Sequence, residues 1–431
     1  MKEYQLIKET DYEYNADLGL SYASPVRGVW NIVHIGTLVP ESHEIFVCPT
    51  SCLRGVVLTT AEMGAMDRLS TITVGEDNIL EGDMEEALYR GTVRIIRELP
   101  VKPRAMLIYT SCIHHFMAVN YKRIYRLLEK EYPEIDFIDC YMDPIMRRTA
   151  PAVPSLWRQI HRLLTPSEKN TRQVNLVGNC FPYGPYSDLN YLLEREGIRV
   201  MDLNTCRSYE EFLQMSRSVM NFVFHKTGIP AVKDMKVRLG QDWMLARPGY
   251  NYDEIDADLA QAASLLEIPP FTREEIEEER RRTDQSAAEA LEVLRKTPVS
   301  LDYTAVDRPL ELCLYLDKQG FRVESVFIDV FTESEEIFQE LKKRLPDLKI
   351  YQSLGWNIRQ MKRGHEGKVV SIGQKSAYFN DTDYFVNIVE NDGMYGYRGI
   401  RRLMELLKEA ALSRKPMKEL VQIKGWGCSC G

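Results

Sequence analysis

Short apolar runs alternate with amphipathic stretches along most of the chain, in the order strand, turn, helix. Residues 44–47 (EIFV) form one run, closed by Pro49, and Thr71-Ile72-Thr73-Val74 form the next; such runs between turn residues predict buried strands. A helix is predicted from Asp83, where Asp83 and Glu86 make a capping-box pair and Met84, Leu88, Gly91, Ile95 and Leu99 share a face up to Pro100. Strands at 104–110 (RAMLIYT) and 135–140 flank a predicted helix over 119–132, and a helical connection over 150–164 leads to a strand at 173–178. Leu189, Leu192 and Leu193 mark a helix ending at Gly197, before a strand at 198–203. A last unit reads as a helix from Arg308 to Gly320, strand 321–330, helix 333–345, strands 349–352, 368–372 and 382–389, and a helix over 397–412. This alternation predicts an α/β fold with parallel sheets. The expected divisions are an extension over 1–27 with little periodicity that lies over a neighbouring surface, domains over 28–165, 166–300 and 301–415, and a tail over 416–431.

Composition narrows the class. A chain of 431 residues is too long for one core. Its 44% hydrophobic content and net charge of −8 describe a globular protein with no nucleic-acid surface. No apolar run reaches the ~20 residues of a membrane span, and the opening MKEYQLIKETDYEY has no apolar signal region, so no membrane partner and a cytoplasmic location are expected. The charged stretch 272–296 reads as a helix with a solvated face. Gly373-Gln374-Lys375-Ser376 lacks the spacing of a phosphate-binding P-loop, and no G-x-G-x-x-G follows a strand.

Nine cysteines, an odd number in a large chain, point to reduced thiols and metal ligation over a disulfide framework. Pro49 forces an extended conformation on Cys48, placing it at a strand end. Thr50 and Ser51 are expected helix caps, putting Cys52 in a first turn whose N–H groups favour a thiolate. Cys112 follows Tyr-Thr-Ser at another strand end. Cys48, Cys52 and Cys112 are therefore the candidate metal ligands, because ligands bind outside the carboxyl ends of strands. A zinc site that adds His43 to them is the more distant alternative. Cys140, Cys180 and Cys313 read as core. Cys428 and Cys430, in the glycine-rich tail, are either further ligands or two exposed thiols. Gly396, Tyr397 and Arg398 open a helix in a glycine-rich turn, where they either face an anionic cofactor or only permit the turn.

Five segments together resemble the nitrogenase component 1 family: PTSCLRG (49–55), STITVGEDNILEG (70–82), YTSCIHH (109–115), VNLVGN (174–179) and MYGYRGIRRL (394–403). The family includes the cluster-bearing nitrogenase chains, their cofactor-assembly homologues, and dark-operative chlorophyllide and tetrapyrrole reductases. The resemblance implies three Rossmann-like domains and an iron–sulfur cluster, [4Fe-4S] or larger, at a subunit interface. It also implies a homodimer or a heteromer with a second component 1-like subunit, and low-potential electrons from a separate P-loop ATPase iron protein. Cys52 and Cys112 match two of the family's cluster cysteines. The family's middle ligand has no counterpart in 71–77, and Cys48 is the nearest substitute. Near 215–230 no cysteine aligns with the ligand of the nitrogenase active-site cofactor, although Cys206 is close, and Tyr395 stands where that cofactor's histidine falls. The expected function is a nitrogenase-like reductase passing electrons to a substrate in an inter-domain cleft, or alternatively a scaffold for metal-cluster assembly.

Overall fold

The computed structural model describes residues 3–13, 31–142 and 151–421, with positions 22, 26 and 29. The chain opens with a two-residue strand, β1 (Gln5–Leu6). Four strands follow as β2 (Ser42–Cys48), β3 (Leu69–Thr73), β4 (Ala105–Ser111) and β5 (Asp136–Met142). Four more are β6 (Gln173–Val177), β7 (Arg199–Asp202), β8 (Met220–Val223) and β9 (Asp242–Leu245). The last five are β10 (Val299–Asp302), β11 (Val323–Phe327), β12 (Lys349–Tyr351), β13 (Val370–Ile372) and β14 (Phe385–Val386). They form three sheets, ordered β3-β2-β4-β5, β7-β6-β8-β9 and β1-β12-β11-β10-β13-β14. Every pairing is parallel except that of β1 on β12, so the α/β expectation holds.

Two compact units share these sheets. One, over 30–180 and 197–246, holds the first two; the other, over 1–29, 181–196 and 247–431, holds the third. The helix Asp188–Arg195 follows β6 in sequence yet belongs to the unit of the third sheet. The expected domain 166–300 is therefore not one continuous piece.

In the first sheet, Ile45, Val47, Met106 and Ile108 pack with Leu88, Ile96, Ile124 and Leu128 of the helices Met84–Glu98 and Tyr121–Glu131. Burial on Met84–Glu98 falls on Met84, Leu88, Thr92, Val93 and Ile96, a stripe shifted from the predicted face. The expected capping box is absent: Asp83 instead accepts from Asn78 Nδ2 at 2.9 Å. Gly91 explains the helix position, since a Cβ there would meet Ile72 Cδ1 at 2.6 Å.

The second sheet has a polar interior. Asn175 Nδ2 donates to Asn221 Oδ1 (2.8 Å), Ser218 Oγ donates to Asn175 Oδ1 (2.7 Å), and Gln241 Nε2 reaches the carbonyls of Met215, Ser216 and Ser218. All of these side chains are buried, and a network in which each member has partners fixes register at little net cost.

In the third sheet β10 is central, although the sequence pattern did not mark it. Strand order reverses between β10 and β13. The charged helix Arg273–Leu294 is capped by Thr272 and Glu275, as a capping box, and buries Thr283, Ala287, Ala290 and Leu294. Its solvated face is thus only its outer side, and its inner side packs on the helix Gly396–Leu412. Of the extension 1–27, Gln5 and Leu6 lie on the edge of β12.

Candidate metal centre

Adjacent parallel strands bring two cysteine-bearing turns together. Val47 of β2 pairs with Thr110 of β4, so Cys48 and the Ser111–Cys112 step leave the sheet side by side. Pro49, not Thr50 or Ser51, occupies the cap position of the helix Thr50–Glu62, and no side chain caps it. Cys52 is that helix's third residue, and its N–H already donates to Pro49 O at 2.9 Å. Cys112 is the first residue of the short helix Cys112–Phe116.

The three thiols differ in access. Cys52 is exposed and Cys112 half-buried, whereas Cys48 is fully buried. Side chains alternate along a strand, so Cys48 shares a face with Phe46, which stacks on Tyr109 at 4.2 Å, and not with the core-facing Ile45 and Val47. Burial, with Cys52 adding to it, pushes the Cys48 thiol up to about 12. Among the described residues no three His, Cys, Asp or Glu side chains are grouped so as to hold a metal ion.

His114, beside Cys112, is fully buried. The Ser111 N–H donates to its Nδ1 at 3.3 Å, which leaves the proton on Nε2, and Nε2 has no hydrogen-bond partner. Burial lowers its basicity, keeping the ring neutral. Residues two apart on a helix project to different sides, so sequence proximity alone does not bring this N–H to Cys112. His43 does not belong here. It sits five residues before Cys48 on β2, about 16 Å away at the strand rise, and its Nε2 lies 2.8 Å from Ser70 Oγ. That separation removes the zinc site that included His43.

The remaining cysteines divide as expected where they can be placed. Cys140, Cys180 and Cys313 are buried, while Cys206 is half-buried with its Sγ 3.4 Å from Asp202 O. Cys428 and Cys430 lie outside the described residues.

The turn at Gly396 is filled from within the chain, which corrects the reading of Gly396, Tyr397 and Arg398 as cofactor ligands. Asp188, buried at the start of its helix, accepts from the Arg398 N–H at 3.1 Å and lies 3.1 Å from Arg398 Nε. Gly396 has φ +69°, and a Cβ there would meet Asp188 Oδ2 at 2.5 Å. Burial pushes the Asp188 carboxyl up to about 6, against the pull of Arg398. Tyr397 is buried and donates to Asp256 Oδ1 at 2.7 Å. The void beside Gly396 is about 10 Å³, room for no more than a water. The anion at this helix N-terminus is the chain's own. Sequence reasoning missed Asp188; its only local signal is the Ser187-Asp188 helix start, which says nothing of its distant partner.

The sequence profile described as nitrogenase component 1 type oxidoreductase matches residues 35–411. The chain belongs to this family. Among solved structures, "Nitrogenase Cp1 at pH 6.5" superposes with a TM-score of 0.66 at 12% identity, over 94% of this chain and 96% of that one. "Nitrogenase Cp1 at pH 5" gives 0.60 at 14% identity, over 95% and 93%. At such identities the likeness is one of fold. No curated protein sequence matches the chain. Within this nitrogenase component 1 type fold, Tyr395 is buried, with its hydroxyl 3.4 Å from Asp258 Oδ2. Among the described residues no helix is long and apolar enough to cross a membrane.

Proposed function

We propose that the protein is a nitrogenase-like reductase subunit that holds an iron–sulfur cluster through Cys52 and Cys112 and passes low-potential electrons to a substrate. The observation that carries this reading is that β2 and β4, neighbours in one sheet, each lead into a turn with a cysteine that is not fully buried, the exposed Cys52 and the half-buried Cys112. A cluster bound there supplies one-electron chemistry at a potential set by its charge, burial and hydrogen bonds. In this reading Cys52 and Cys112 would hold the iron. The chain has no P-loop of its own, so coupling to ATP falls to a separate iron protein that docks over the helix Thr50–Glu62 and the turn at Ser111.

Anaerobic purification with iron and sulfide analysis and paramagnetic resonance tests the reading. Cys52→Ser and Cys112→Ser are expected to lose bound iron, while Cys140→Ala retains it. Equal iron in all three overturns the assignment. Reduction of the centre is expected to require a nitrogenase-reductase-like protein and MgATP, and ATP hydrolysis by the isolated chain argues against it. A protein that binds the cluster but turns over no substrate with a strong artificial reductant is instead an assembly scaffold.

A further inference from the structure

We propose that the unit of the third sheet binds a small organic monocarboxylate, of the 2-oxo or 2-hydroxy class, in a cavity of about 290 Å³ between β11, β12, the end of the helix Gln374–Asn380 and residues 361–366. This cavity lies outside the unit that carries Cys52 and Cys112. The inference therefore stands apart from the proposed function. Its charged groups are already held in place by one carboxylate. Glu324, 17% exposed, accepts from Lys349 Nζ (2.9 Å) and meets His365 Nε2 (3.2 Å) at Oε1, and accepts from Arg322 Nη2 (3.2 Å) at Oε2. Burial opposes its ionisation, yet Lys349 and His365 hold the carboxyl below its ordinary range. Lys349 and Arg322 each spend a single N–H on it, which leaves most donors of both groups unused. With His365 neutral, Arg322, Lys349 and Glu324 together carry one net positive charge, while Glu366 is exposed to water. A monocarboxylate balances that charge, and a phosphate dianion exceeds it.

Buried polar atoms on the same cavity ask for a second oxygen. Tyr351 is 8% exposed, and its hydroxyl has no hydrogen-bond partner among the described residues, although its ring is stacked on Phe327 at 4.6 Å. Asn380 is 6% exposed and bonds only through Nδ2, to Ser371 Oγ at 3.3 Å, so its side-chain carbonyl is unused. An enclosed hydroxyl without a partner is costly unless water or a ligand meets it. An oxygen next to the ligand's carboxylate gives the Tyr351 O–H an acceptor, and where that oxygen is a hydroxyl it also donates to Asn380 Oδ1. The volume lies just under the range of about 300–1,000 Å³ usual for ligand sites. That fits an acid of a few carbons and excludes a nucleotide.

The test is calorimetric titration of the full chain, purified anaerobically, with lactate, pyruvate and inorganic phosphate. Lactate or pyruvate is expected to bind saturably, and phosphate more weakly than either. Arg322→Met is expected to weaken binding by at least about tenfold. Tyr351→Phe is expected to weaken it by roughly three- to tenfold with no fall in the thermal midpoint, because the hydroxyl it removes has no partner. Lys102→Met, an exposed lysine of the other unit, is expected to bind as the wild type does. Four results each overturn the inference: no binding of either acid to the folded wild-type chain, phosphate bound as tightly as the acids, wild-type affinity in Arg322→Met or Tyr351→Phe, or equal weakening in Lys102→Met. Iron content is expected to be the same in all of these proteins, so failure at this site leaves the proposed function intact.

Discussion

Two sets of helix N-termini in this chain are treated in opposite ways. In the unit of the third sheet, four of them meet buried carboxylates supplied by the same chain. Asp188 accepts from Arg398 N, Asp302 from Ser376 N (2.8 Å), Glu333 from Leu310 N (2.6 Å), and Glu311 from both Tyr250 N and Asn251 N (2.7 and 2.8 Å). In the other unit, the helix that carries Cys52 has a proline at its cap and exposed residues in its first turn. A helix N-terminus attracts negative charge through its free N–H groups and dipole. Where the chain fills that position itself, the feature is structural. Where it leaves the position beside accessible thiols, an external ligand has room.

The largest expected effect separates the two sets outright. Cys52→Ser or Cys112→Ser should abolish iron binding yet change the stability of the iron-free chain by no more than about 0.5 kcal/mol, because these sites bury little. Chemical denaturation and iron analysis of the same samples check both halves. Asp188→Ala should do the reverse. Leaving the Arg398 group and its N–H unpaired costs about 3 kcal/mol, with iron content unchanged; a drop in iron in the folded variant would unite what the comparison separates.

Glu44 sharpens the contrast from within the cysteine-bearing unit, being a buried carboxyl that caps no helix. Its Oε1 accepts from Thr37 Oγ1 at 3.1 Å and its Oε2 has no partner, so burial pushes it up to about 8. The folded state therefore holds a proton that the unfolded state releases above the ordinary value of 4.5. Stability from this group is fully present below that pH and is lost as pH rises towards 8. Glu44→Gln should remove the dependence and stabilise the chain by roughly 3 kcal/mol at pH 7, read as a denaturation midpoint that no longer falls between pH 5 and 8. The smallest effect is expected for Asp302→Asn. The amide keeps the volume but loses one acceptor for Thr304 or Ser376, costing about 1–2 kcal/mol.

Strands with continuous apolar runs, such as β2 and β4, were legible in the sequence, as was the helix with Leu189, Leu192 and Leu193. The missed strand β10 has only two apolar residues in Val299–Asp302, and its Ser300 is satisfied in the core by Ser325 Oγ at 2.8 Å. Burial of this kind leaves no hydropathy signal, because the partner comes from another strand. β8 (MNFV) and β9 (DWML) each carry three apolar residues of four, a run too short to stand out, with Asn221 of β8 joining the buried amide network. At the candidate centre, proline chemistry placed Cys48 at its strand end and Cys52 in a first turn. The enclosure of Cys48 depends on what packs beside β2, which spacing along the chain does not encode. At 396–398 the sequence left open a tight turn or an anionic ligand, and only the fold reveals that Asp188 meets the Arg398 N–H.

The interleaving of the two units also orders their assembly in time. A chain growing from its N-terminus has both sheets of the cysteine-bearing unit once residue 246 has emerged. Asp188 by then has no Arg398, which lies 210 residues later. At ordinary rates of synthesis that interval lasts roughly 10–40 s, during which the helix Asp188–Arg195 has neither the helix Gly396–Leu412 nor an ion-pair partner. β1 waits longer still for its partner β12, because Gln5 pairs with Ile350, 345 residues later. All residues of the thiol-bearing sheet are thus made before the partners of Asp188 and β1 exist.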